Sequence, residues 1–287
     1  DQEIDNKIFG DIFHRTAQLI YEDLSGQDHR RLITADDIER LVNKEKYKID
    51  VYLDQAFREK LFKVERPDFH PRYNGLQLLN RNVLRLYILR LLRLDKANTP
   101  FSIVALEQNF FDDVSFEAKD VERTLSIGGQ VDRLDRIGEQ LRVIDYKTGK
   151  PLTSTAPTLD EIFDTAYVDT KHTSYYLQTF LYASVIRKNK KNIAAVNPAN
   201  KPVAPALLFI REAGKDNYDP ILKVKDAHQE GKRKATYSAV DDIDKIYPDF
   251  IGHLKNLLSE IFDKNQPFTP TEYRDRCTNC PYKNLCG

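Results

Sequence analysis

Asp132, Asp145 and Lys147 are the residues of this chain best suited to chemistry. They lie in residues 127–150 (IGGQVDRLDRIGEQLRVIDYKTGK), a stretch that reads as two β-strands turning at Gly138. Residues two apart on a strand share a side, so Asp145 and Lys147 face one way and Tyr146 the other. Carboxylates bind Mg²⁺ or Mn²⁺ through oxygen. A lysine beside them could orient or activate a water and offset the charge that builds on an attacked phosphate. Taken alone, Asp-x-Lys is common, and a surface salt bridge accounts for it. Asp132 changes that reading, because a hairpin sets it beside Asp145, close enough to share one ion. Such charges are costly to bury unless they bind something. Asp135, three residues on, faces away and is expected at the surface or in a turn.

Other residues could join this group. His14 follows Gly10 in a G-x-x-x-H pattern on a helix. Its imidazole suits a third ligand and favours Mn²⁺ over Mg²⁺, although a lone helical histidine is usually structural. Gln178 and Tyr182 are four apart, hence on one helix face. They form either a polar rim or a hydrogen-bonding pair set against nucleic acid. Arg81, Arg85, Arg90 and Arg93 decorate one helix, as a solvated face or as a strip that tracks phosphates. Cys277, Cys280 and Cys286 crowd the C-terminus. An odd, clustered set is not a secreted disulfide framework. Three thiolates could take zinc with a fourth, outside ligand, or stay free.

Amphipathic periodicity predicts helices at 8–24, from Thr34 to about Val64, at 76–94, at 173–188 and at 240–264. Thr34 with Asp37 has the form of a capping box, 25–31 is a polar loop, and the prolines in 66–74 break the helical run. Residues 101–111 alternate like a strand. Residues 112–123 read as a polar connection that includes at most one more strand. Residues 204–211 form a short apolar strand, with 221–224 placed beside it. Helices come first, then strand, hairpin, helix, strand and helix, which implies a mixed α/β core with a helical N-terminal region packed on it. Lysine plus arginine and aspartate plus glutamate balance at 44 each, so any nucleic-acid surface must be local. No apolar run approaches a membrane span and no leader precedes the first helix, so the chain is expected to be soluble and cytoplasmic. Methionine is absent, as expected of a fragment, or of a sequence from which modified methionines have been dropped.

G-x-x-x-H on the first helix, G-x-x-D at 129–132, D-Y-K-T-G at 145–149 and Q-x-x-x-Y at 178–182, in that order, closely resemble the PD-(D/E)XK nuclease superfamily. Within it they are most similar to the RecB/AddB-like branch. The resemblance runs from Phe9 to Cys286. It implies an α/β, restriction-endonuclease-like mixed sheet flanked by helices. One nuclease domain would span 1–287: a mainly helical region (1–100), a catalytic core (101–265) and a cysteine-containing tail (266–287). His14, Asp132 and Asp145 would hold Mg²⁺ or Mn²⁺ together with the Tyr146 backbone carbonyl. Lys147 would be the catalytic lysine, and Gln178 and Tyr182, with Arg81 and Arg85, would meet DNA. Glu107 lies where the branch often has an acidic residue. The C-x₂-C-x₅-C tail resembles part of a [4Fe–4S] clasp whose fourth cysteine would lie upstream of the first helix. The implied activity is a deoxyribonuclease, an exonuclease in break processing and repair, coupled to a helicase partner or a fused helicase-like region. It would act on single strands or duplex ends. The rivals are a CRISPR-adaptation nuclease, a DNA-binding subunit of the same fold whose catalysis has lapsed, and a scaffold subunit held together by its metal tail.

Overall fold

One long antiparallel hairpin is the frame on which the other elements are hung. The computed structural model describes residues 3–26, 31–226, 235–267, 269–278 and 280–286, the last without its side chain. Helix α1 (Asn6–Ser25) opens the fold, its first turn capped by Asp5, which accepts from the Ile8 amide at 2.7 Å. A short strand, β1 (Leu32–Ile33), leads through the Thr34–Asp37 capping box into α2 (Ala35–Asn43). Helix α3 (Tyr47–Phe57) runs on into a π-helical turn at Arg58–Phe62. Helix α4 (Gly75–Ala97) starts at a second capping box, Asn74 with Gln77. Then come β2 (Phe101–Ala118), β3 (Val121–Ile137) and β4 (Gln140–Lys147). Helices α5 (Leu159–Phe163), α6 (Val168–Lys171), α7 (Thr173–Lys188) and α8 (Lys190–Val196) carry the chain to β5 (Val203–Phe209). A small hairpin of β6 (Lys223–Lys225) and β7 (Tyr237–Ala239), helix α9 (Tyr247–Ile261) and a last turn, α10 (Lys283–Cys286), complete it.

The main sheet has the order β1-β2-β3-β4-β5 and is antiparallel except for β4 and β5. A parallel pair needs a long crossover, and the α5–α8 segment supplies it. Both faces of the sheet are covered. Ile144, Tyr146, Ala206 and Leu208 pack under Ile12, Phe13, Leu84 and Ile88 of the N-terminal helices. Val143, Val203 and Leu207 pack with Phe180 of α7 and Phe250 and Leu254 of α9. This double cover explains why β4 and β5 are buried almost throughout, and why β5 is apolar from end to end. Each fully buried Phe or Ile contributes about 1.5–3 kcal/mol.

Three expectations need correction. Residues 112–123 are not a connection: β2 continues to Ala118, turns at Lys119 and Asp120 with φ of 47° and 61°, and returns as β3. The helix expected at 240–264 is shorter, because a 3₁₀ turn at Ile243–Lys245 precedes α9, and Pro248 sits in its first turn. Residues 221–222 pair beside β5 for one step, at an Ala206–Ile221 bridge where the Leu222 amide donates to the Pro205 carbonyl at 2.9 Å, but Lys223–Lys225 pairs with β7 instead. The loop at 25–31 lies largely outside the described residues. Among the described residues no helix is long and apolar enough to cross a membrane.

Asp135 is a fourth correction. It is fully buried, not at the surface. Arg133 Nη2 donates to its Oδ2 at 2.5 Å, and Arg142 donates to both of its oxygens at 2.9 and 2.8 Å. Burial alone would raise its pKa, but the two guanidiniums outweigh burial and hold it lowered. Arg133, also fully buried, forks onto Asp95 of α4 at 2.6 and 3.3 Å and lies over the rings of Tyr21 and Phe101. This network ties α1, α4, β3 and β4 together beneath the catalytic candidates.

Candidate active site

The site forms where β3 and β4 part. Their last ladder pair near it is Arg133 with Ile144, and one step beyond, the same register sets Asp132 opposite Asp145. Strand β4 still holds that carboxylate, because the Tyr146 amide donates to Asp132 Oδ2 at 2.8 Å. Helix α1 lies against this end of the sheet, with Phe13 and His14 edge-on to the Tyr146 ring. Gly10 lies against the end of β4, where a Cβ would sit in ordinary contact with Thr148 Oγ1 at 3.8 Å. His14 Nδ1 consequently lies 3.4 Å from Asp132 Oδ1 and 3.6 Å from Glu107 Oε1.

Glu107 is carried by β2. It faces Asp132 by register, between the pairs Leu106–Arg133 and Gln108–Val131. Its φ is 47°, a left-handed conformation costly for a non-glycine residue and retained only where the surroundings enforce it. The ladder shifts register just before it, between Ile103 and Ala105. One oxygen each of Glu107 and Asp132 and one ring nitrogen of His14 all lie within 4.8 Å of one another, a set with the donor chemistry of a Mn²⁺ or Mg²⁺ site.

Asp145 stands beside that trio. Lys147 Nζ is 2.6 Å from its buried Oδ2, and the two form an ion pair. Burial and the charge of Asp132 push the Asp145 carboxyl up to about 6, against the pull of Lys147 and His14. His14 moves the same way for another reason. Burial lowers its pKa, but hydrogen bonding and attraction to Asp132 and Glu107 outweigh burial and raise it to about 10. A buried carboxylate and a crowd of acidic oxygens held by a lysine and a protonated imidazole are the features a divalent cation would relieve.

Helix α7 closes the other side. Gln178 Nε2 donates to Tyr182 Oη at 3.2 Å. That hydroxyl occupies the space above Gly129, where a Cβ would come within 2.8 Å of it. The G-x-x-D glycine therefore serves the Q-x-x-x-Y tyrosine. The Tyr175 ring, one turn before Gln178, lies 4.6 Å from Lys147 Nζ. A cleft of about 400 Å³ opens from the trio and is lined also by Asp11, Arg15 and Lys60.

The structure thus gathers His14, Glu107, Asp132, Asp145 and Lys147 at one end of the sheet, with Gln178 and Tyr182 beside them. It does not bring Arg81 or Arg85 there. Arg81 pairs with Asp50 and Asp54 of α3 at 3.2 and 2.7 Å, and Arg85 with Asp50 at 3.3 Å. Cys277 and Cys280 are free, half-buried thiols in the tail, which Arg276 ties to Asp169 of α6 at 2.6 Å. The Cys286 side chain lies outside the described residues. Tyr175 and Lys60 were not singled out by sequence reasoning, since nothing in their spacing distinguishes them from ordinary helix positions.

A family model described as the PD-(D/E)XK nuclease superfamily matches residues 1–287. No curated protein and no solved structure matches the chain.

Proposed function

The chain belongs to the PD-(D/E)XK nuclease superfamily, and from that premise we propose a Mg²⁺- or Mn²⁺-dependent deoxyribonuclease of the RecB/AddB-like branch. The observation that carries this reading is the convergence of His14, Glu107 and Asp132 beside Asp145, a buried carboxylate paired with Lys147. His14, Glu107, Asp132 and Asp145, with the Tyr146 carbonyl, would hold the cation. When bound, it supplies Lewis acidity toward a phosphodiester and lowers the pKa of water. Lys147 shares the strand face of Asp145 and is placed to orient the attacking water and offset charge on the phosphate oxygens. Gln178 and Tyr182 present a polar edge to the substrate. Exonuclease action in break processing, coupling to a helicase and a cytoplasmic setting belong to the same reading and rest on the order of the four motifs. Cys277, Cys280 and Cys286 would give three of the four thiolates of an iron–sulfur clasp. Three do not complete such a site, and no chemistry here depends on one.

The test is cleavage of end-labelled single- and double-stranded DNA with Mn²⁺ or Mg²⁺, beside an Asp132→Ala protein. Metal-dependent product from the wild type alone is expected. No product from the wild type, or equal product from both, overturns the reading.

His14 adds a second test. With its pKa near 10 it is protonated at neutral pH, and a protonated imidazole cannot ligate. Cation uptake through His14 must therefore expel its proton. The expected result is release of about one proton per Mn²⁺ bound at pH 7, with affinity rising up to about tenfold per pH unit below the histidine pKa. Calorimetry in two buffers of different ionisation enthalpy measures it. Binding that releases no proton removes His14 from the ligand set.

A further inference from the structure

We propose that the stacked rings of His172 and Tyr175, at the start of α7, form a subsite for one unpaired nucleobase of a single strand beside the bond being cut. This deepens the nuclease reading and rests on it. The two rings lie 5.6 Å apart, centroid to centroid, and within 11° of parallel. Their neighbours on α7, Tyr176 and Phe180, are buried in the core, whereas Tyr175 is half-buried and His172 exposed. Tyr175 packs against the edge of the core, whereas the His172 ring laid on it fills no interior space.

Its position sets what it can meet. The Tyr175 ring touches Lys147 Nζ, and Lys147 in turn pairs with Asp145. A nucleotide's base and phosphate are one sugar apart. A phosphate held at Lys147 leaves an adjoining base within reach of rings that are one side chain away. Every base offers a π-face, so an aromatic shelf takes any sequence, but only from a strand whose bases are not already stacked in a duplex.

The backbone carries a second sign. His172 has φ 51° and ψ 43°, the left-handed conformation that ends α6, where glycine or asparagine is the usual residue. It occupies the N-cap of α7, yet its side chain makes no capping hydrogen bond. Serine, threonine, asparagine or aspartate would serve the cap better. What histidine provides instead is a ring laid on Tyr175.

The experiment measures binding of a fluorescein-labelled single-stranded oligodeoxynucleotide in EDTA, with a single abasic residue moved along it. His172→Asn is the main variant, because asparagine tolerates the left-handed backbone and lacks the ring. The expected loss of affinity is about 5-fold or more, the lower end of what one stacked base contributes. One abasic position should weaken wild-type binding by a similar factor and leave the variant unaffected. Tyr175→Leu should lose the same discrimination and, through Lys147, also lower the cleavage rate with Mn²⁺. The proposal falls if His172→Asn binds like the wild type, or if both proteins lose the same affinity at every abasic position. Wild-type cleavage of the intact oligonucleotide with Mn²⁺ is scored separately. Its absence sinks the nuclease reading while the binding comparison still decides the shelf.

Discussion

Asparagine in place of Asp145 is expected to lower cleavage by about 10³-fold or more, and in the same protein to raise the melting temperature of the metal-free form. The first effect follows from removing a carboxylate from the proposed cation site. Lewis-acid catalysis is worth several kcal/mol, and each 1.36 kcal/mol is a factor of ten. The second follows from the cost of the same charge when no cation is present. Burial and Asp132 raise the Asp145 carboxyl to about 6, from an ordinary value of 3.8. A raised pKa means that the folded state binds the proton more tightly than the unfolded state. The carboxyl is therefore least costly below about pH 4, and stability falls as pH rises through about 6. Above that, its ionisation destabilises the fold by on the order of 2–3 kcal/mol. Asparagine does not ionise. At pH 8 the metal-free variant should melt a few degrees above the wild type, with the gap closing toward pH 4. Mn²⁺ should raise the melting temperature of the wild type more than that of the variant. A variant that cuts as fast as the wild type, or melts below it at pH 8 without metal, contradicts this account.

The same residues show how far the sequence could be read. The hairpin carrying Asp132 and Asp145 was legible because apolar Val131 and Leu134 and then Leu141, Val143 and Ile144 flank Gly138, which turns with φ 54°. Helix α7 was legible to its bounds, and the Thr34 cap formed as the spacing implied. The outer half of the hairpin was hidden by its turn. Lys119-Asp120 is not a glycine turn, although Val114, Phe116 and Ala118 already alternate with exposed neighbours. Glu107 came only from the family resemblance, since its approach to His14 depends on a register shift and a left-handed residue. Arg81 and Arg85 of α4 looked free because their partners, Asp50 and Asp54, lie far back in the chain. Asp135 illustrates the general limit. Strand parity places it opposite Asp132, but only the folded partners reveal that the opposite face is buried and lined with guanidiniums.

Those guanidiniums carry the largest expected effect on stability. Arg133→Met should destabilise the protein by about 3–5 kcal/mol, because it strips one member from a buried ionic network and leaves a charge behind. The charge most affected is Asp95. It loses both guanidinium bonds, at 2.6 and 3.3 Å, and keeps only the Tyr21 hydroxyl. Asp135 is less exposed to the change, since Arg142 still donates to both of its oxygens. Methionine fills much of the volume under Tyr21 and Phe101, so the loss is electrostatic before it is one of packing. At about 2.1 cal/mol/K per residue of unfolding entropy, the melting temperature should fall by roughly 5–8 °C. Lysine should not rescue it, because a point charge cannot fork onto two carboxylates. Arg133→Met combined with Asp95→Asn should recover a large part of the loss, since the stranded charge is then gone. Denaturant unfolding of the wild type, the single and the double variants decides the point. If the double variant is no more stable than the single, Asp95 is not the charge that Arg133 neutralises. The site would register the same change, because Arg133 also reaches the Tyr146 hydroxyl at 3.4 Å, and the Tyr146 amide is the donor that holds Asp132 in place.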